Sequence, residues 1–120
     1  MRTDLFTRSV SNADGYGEVA PAALAPVLGE VRVLDVREAT EFHGELSHIP
    51  GAELVPLGSL EHTARDWDRD TALVIVCRTG RRSGSAAASL ARLGFRHVLN
   101  LRGGMLAYNQ AGLPLARNGA

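Results

Sequence analysis

The chain has 120 residues, 45% of them apolar and 22% charged, with thirteen arginines balancing thirteen acids. That is the length of one domain, able to bury roughly two-thirds of its unfolded surface, and too apolar for disorder. The zero net charge argues against general nucleic-acid or membrane-surface binding, which need a large positive excess; no lysine occurs, so any anion affinity must be local.

In chain order, residues 1–16 read as a loose lead-in and residues 17–120 as the domain. "VAPAALAPVLG" places Pro21 near a helix start, apolar residues at Leu24 and Leu28, and Gly29 as a stop. "VRVLDV" (31–36) is a β-branched apolar run, "REATEFHG" (37–44) suits a helix, and "GAELVPL" (51–57) is strand-like until Pro56. "SLEHTARDWDRD" suggests a short helix and a charged turn. "TALVIVC" is apolar throughout, as central parallel strands are.

"SGSAAASLARLG" predicts a helix starting near Ser83, with Ala86, Leu90 and Leu93 on one face and Gly94 as a left-handed stop. "HVLNL" is a further strand and "GGMLAYNQAG" a last helix. Strands separated by such helices imply an α/β fold, a parallel sheet covered on both faces and wound right-handed.

No apolar core of signal-peptide length opens the chain, and no run approaches the ~20 apolar residues of a membrane span. The lone cysteine cannot form an internal disulfide, so the cytoplasm is the expected compartment. His43 and His48, five apart, fit no usual zinc pattern, and no metal is expected.

The stretch "VIVCRTGRRSGSAAASL" sets Cys77 between an apolar run and Arg78, Arg81 and Arg82, followed at once by helix formers. Ligands of parallel sheets bind at the carboxyl ends of strands, and unpaired amides at a following helix start favour negative charge. Cys77 occupies that place. A thiolate there is stabilised by the amides of "RTGRRS" and nearby guanidinium groups, which lowers its pKa below the ~8.5 of a free cysteine. A cysteine that merely finishes a core strand is the plainer reading. It does not call for Gly80 to bend a loop, or for arginines to crowd a helix start against the dipole. Arg82 is expected to complete the ring around a bound anion, with Arg78 and Arg81 at the mouth.

"LDVRE" (34–38), "HIPGA" (48–52), "CRTGRR" (77–82) and "LRGGMLAYNQAGLPL" (101–115) together make the chain resemble the rhodanese-like sulfurtransferase domain in its single-domain form, over residues 17–116. The resemblance implies a three-layer α/β domain with a central, mostly parallel five-stranded sheet. It implies that Cys77 takes the outer sulfur of a donor such as thiosulfate as a persulfide and passes it to a thiol, cyanide or a thiol-bearing protein. Such a ping-pong route needs an acidic thiol and a preformed amide cradle, and no metal or organic cofactor.

By motif position, Cys77 is the nucleophile, and Arg78, Thr79, Gly80, Arg81, Arg82 and Ser83 supply the cradle. Asp35 and Arg37 match the family's acid and base near the site, with Asp35 expected to brace the loop; capping the helix that starts near Glu38 is an equal alternative for it. His48, Pro50 and Gly51 match a structural turn. Gly103 and Gly104 match a turn where the backbone nears the cysteine loop, or form a plain turn. The family's aromatic four residues before the motif histidine is replaced by Gly44, with Phe42 two residues earlier, as a short insertion in "FHGELSH" would produce.

Two alternatives share the chemistry or the fold. A phosphatase or arsenate reductase needs an arginine after five intervening residues, where this chain has Ser83; Arg82 follows four. A sulfur-carrier module would take sulfur from a cysteine desulfurase and deliver it to a protein partner. With no second cysteine, the acceptor must come from outside the chain.

Overall fold

Apolar strands flanked by glycine-bounded helices assemble as expected in the computed structural model, which describes residues 10, 11 and 14–116. The strands are β1 (Val10–Ser11), β2 (Gly17–Val19), β3 (Arg32–Asp35), β4 (Glu53–Leu54), β5 (Ala72–Val76) and β6 (His97–Leu101). Their order across the sheet is β1-β2-β6-β5-β3-β4. Five strands, β2 to β6, run parallel, and β1 is added antiparallel at the edge, Ser11 opposite Gly17. Two residues of the expected lead-in therefore belong to the sheet; the rest of residues 1–13 lies outside the described residues.

β5, buried at every position, is the central strand. On one sheet face Leu34, Leu73, Ile75 and Val98 pack under α3 (Leu60–Ala64) and α4 (Arg81–Arg92) through Leu60, Ala64, Ala86, Ala87 and Leu90. On the other, Val33, Val74, Leu99 and Leu101 pack against Leu24 of α1 (Pro21–Leu24) and against Met105 and Tyr108 of α5 (Gly104–Gln110). The fold is the three-layer α/β arrangement, and helices on both faces follow from strands apolar on both sides.

Several boundaries differ from the sequence expectation for local reasons. The helix expected over 21–29 is α for one turn and then tightens to 3-10 over Ala25–Glu30, where Pro26 supplies no N–H. The strand expected over 51–57 contracts to β4, although the Val55 and Leu57 amides still reach the Asp35 and Val36 carbonyls at 2.9 and 3.0 Å. Helix α4 begins at Arg81, two residues before the expected start, because Gly80 at φ 95° turns the chain and its carbonyl accepts the Gly84 amide. Leu93 ends that helix 38% exposed rather than on the buried face, and Phe95 fills the core beyond the Gly94 turn.

Among the described residues no helix is long and apolar enough to cross a membrane, and no group of three His, Cys, Asp or Glu side chains is placed to hold a metal.

Candidate active site

Cys77 leaves the carboxyl end of β5, and the turn at Gly80 folds the following peptides back over its side chain. Its Sγ accepts the Gly80 amide at 3.1 Å, the Ser83 amide at 3.3 Å and the Ser83 hydroxyl at 3.2 Å. Cys77 is 1% exposed and borders the apolar core, yet the peptide groups around its sulfur point inward. Burial pushes the thiol pKa up; the Ser83 hydroxyl and the amides of Ser83, Thr79 and Gly80 outweigh it and leave the group below its ordinary value.

The turn before α5 locks this loop from behind. The Met105 amide donates to the Cys77 carbonyl at 2.8 Å and the Leu106 amide to the Arg78 carbonyl at 3.0 Å. Gly104, at φ 59°, lies so close that a Cβ there would sit 2.5 Å from the Cys77 and Arg78 carbonyl oxygens. The glycine pair is thus a point of close backbone approach and not a plain turn.

Asp35 and Arg37 form a buried pair at the end of β3. Asp35 accepts Arg37 Nε at 2.9 Å, a terminal guanidinium nitrogen at 2.7 Å and the Arg37 amide at 3.1 Å. The other guanidinium contacts go to the Glu41 carbonyl at 3.3 Å and the Ser47 carbonyl at 2.7 Å. Asp35 thus holds Arg37, and Arg37 holds the 41–47 loop rather than the cysteine loop that Asp35 is expected to brace from sequence. The helix-capping alternative for Asp35 is not what forms: α2 (Ala39–Phe42) is capped by Glu38 and Glu41 in a reciprocal box.

Glu41 also reaches across to Arg82, in two hydrogen bonds of 2.7 and 2.8 Å. The Arg82 side chain is thus held by a carboxylate beside the loop, near enough to Cys77 and Asp35 to feel their charge. The Arg82 hydrogen bond holds the Glu41 carboxyl down at about 2. Arg78, Thr79 and Arg81 are exposed; Arg81 lines a groove of about 500 Å³ behind the loop, with Asp14, Glu18 and Arg92.

The altered stretch before the motif histidine resolves in three dimensions. Phe42 stacks on His48 with ring centroids 3.6 Å apart, and its carbonyl meets His48 Nδ1 at 3.0 Å. The aromatic two residues further upstream therefore packs on the histidine despite Gly44.

Sequence reasoning missed Glu41 and Asn100. Asn100 Oδ1 accepts the Ser83 hydroxyl at 2.5 Å, and Nδ2 donates to Gly80 O at 3.0 Å and to the Glu18 carboxylate at 3.1 and 3.2 Å. The available signal was a carboxamide inside the otherwise apolar end of "HVLNL". For Glu41 there was none, because α2 and α4 meet only in the folded chain.

A family model, Rhodanese-like domain, matches residues 22–111. A candidate sulfur carrier protein of Bacillus subtilis, YrkF, is 40% identical over 100 residues, which are 81% of this chain and 53% of that protein; the chain spans about half the length of that relative. A sulfurtransferase of Allochromatium vinosum is 36% identical over 86 residues, 72% of this chain and 78% of that one. The crystal structure of a rhodanese-related protein from Thermoplasma volcanium superposes with a TM-score of 0.74 at 26% identity, covering 82% of this chain and 96% of that one. With the cysteine loop, the parallel sheet and this extent of match in agreement, the chain belongs to the rhodanese-like domain family.

Proposed function

We propose that this chain is a sulfurtransferase that moves sulfane sulfur through a persulfide on Cys77. The Cys77 thiolate attacks the outer sulfur of thiosulfate or another persulfide donor; the donor S–S bond breaks and sulfite, or the donor thiolate, leaves with the electron pair. A thiolate or cyanide then attacks the outer sulfur of the persulfide, and Cys77 departs as the thiolate. The amides of Arg78 to Ser83 carry the charged sulfur through both steps. Asp35, through Arg37, braces the wall beside them.

The observation that carries this reading is the convergence of the Gly80 and Ser83 amides and the Ser83 hydroxyl on one sulfur. A buried sulfur at the floor of a short loop suits a donor presenting a single sulfur atom. Phosphoryl transfer is disfavoured, since four residues rather than five separate Cys77 from the loop arginine and Ser83 stands where a phosphatase needs it.

Intact-mass analysis after exposure to thiosulfate tests the reading: one added sulfur atom, lost on treatment with a reductant, is expected, and no uptake from thiosulfate or from a protein persulfide overturns it. Uptake only from a cysteine desulfurase would favour the carrier reading, which the similarity to a candidate sulfur carrier supports.

A further inference from the structure

The Ser83 hydroxyl has one hydrogen and two acceptors in reach: Cys77 Sγ at 3.2 Å and Asn100 Oδ1 at 2.5 Å. It cannot serve both at once. The orientation of the Asn100 carboxamide is not free either. Its Nδ2 faces the Gly80 carbonyl and the Glu18 carboxylate, all acceptors, so the amide oxygen must be the atom that faces Ser83. Among the described residues no buried side-chain nitrogen or oxygen lacks a partner, and Asn100 is 4% exposed.

We propose that Asn100 is a positioning residue for the cysteine: its Oδ1 is the resting acceptor of the Ser83 hydroxyl hydrogen, which turns to the sulfur when the sulfur carries charge. In the neutral state the thiol S–H donates to Ser83 Oγ, and Ser83 donates on to Asn100, so every group is satisfied. In the anionic state the hydroxyl joins the Gly80 and Ser83 amides on the sulfur, and Asn100 Oδ1 gives up its donor inside the protein. That loss opposes ionisation. Asn100 and Ser83 therefore act on the thiol in opposite directions, one withholding the hydrogen that the other delivers.

The charged groups around this switch are Arg82 from α4 and its partner Glu41 from α2, the Asp35–Arg37 pair at the end of β3, and Glu18 from β2 behind the carboxamide. Arg82 favours the anion, and the Glu41, Asp35 and Glu18 carboxylates oppose it. Arg82, Glu41, Asp35 and Arg37 remain in place when Asn100 is replaced; the Glu18 carboxylate loses its Nδ2 donor, which opposes the anion and so cannot produce a downward shift.

The proposal rests on Cys77 being the sulfur carrier, but its test needs no sulfur donor. The rate of Cys77 alkylation by iodoacetamide is measured against pH in the full chain. Asn100→Val, an apolar residue suited to a strand, is expected to move the midpoint down by about one pH unit, and Ser83→Ala up by about the same. In the Ser83→Ala background Asn100→Val is expected to move it no further, because no hydroxyl is left to release. An Asn100→Val midpoint that rises or stays, or an equal shift with and without Ser83, overturns the proposal; the latter result would mean that Asn100 acts only through Gly80. Asn100→Ala, read the same way, replaces Asn100→Val if that variant fails to fold. Sulfur uptake by mass is scored separately, so a wrong functional reading and a wrong relay give different results.

Discussion

Arg82 and Glu41 are 41 residues apart in sequence and meet through two hydrogen bonds of 2.7 and 2.8 Å, tying the first turn of α4 to α2 beside the cysteine. The pair joins a cation that an anionic donor would seek to a carboxylate that competes for it. Glu41→Gln is therefore expected to lower the KM for thiosulfate severalfold with little change in kcat. Arg82→Ala is expected to raise it, and by more than Arg81→Ala, because Arg81 lines the groove behind the loop instead. Steady-state thiocyanate formation decides; equal losses for the two arginine variants would refute the assignment.

The same pair has a signature in acid. The Glu41 carboxyl is held at about 2, below its ordinary 4.5, by the Arg82 hydrogen bond. A depressed carboxyl contributes stability that is complete above 4.5 and lost as pH falls through about 2. Since both side chains are about one-third exposed, the contribution is expected to be no more than about 0.5 kcal/mol. Urea unfolding of the parent and of Glu41→Gln between pH 5 and pH 2 measures it: their difference should shrink towards the acid end.

Cys77→Ser is expected to abolish sulfur uptake while leaving the fold intact, because a hydroxyl fills nearly the same space but is not ionised at neutral pH. Circular dichroism and thiosulfate:cyanide turnover report the two parts. Normal turnover by the serine variant would end the proposed mechanism.

Gly104→Ala is expected to destabilise the protein by about 1–3 kcal/mol and to weaken sulfur transfer as well. Its methyl group would meet the Cys77 and Arg78 carbonyls at 2.5 Å, so the turn and the loop must separate. A variant with parental unfolding midpoint and parental turnover would show that this contact does not hold the loop.

Arg37→Met is expected to cost about 3–5 kcal/mol, since it leaves the buried Asp35 carboxylate without its counter-charge. Replacing Asp35 by Leu in the same chain should return a large part of that loss, by removing the stranded charge. Denaturant unfolding of the single and double variants checks the sign of the coupling; a double variant less stable than Arg37→Met would contradict it.

The order of elements and the place of Cys77 were legible in the chain because each follows from a local pattern, and the parallel sheet because strands alternating with helices imply it. Alternation and apolar runs identify strands, glycines mark stops, and a cysteine followed by a glycine turn and a helix start is a local pattern. Even Gly80, Gly103 and Gly104 stand in the sequence as turn signals, although only the fold shows that Gly104 touches the Cys77 peptide.

What the sequence by itself determined, then, was the place of Cys77 and the scaffold beneath it, since both arise from short stretches with strong local propensities. Tertiary structure alone decided the company that Cys77 keeps. Glu41 is brought to Arg82, Arg37 to the Ser47 carbonyl, and Asn100 to Ser83 by sheet register and helix docking. These partners lie 41, 10 and 17 positions apart in the chain. No local periodicity encodes such meetings, because the position of one strand beside another is set by the packing of the whole core.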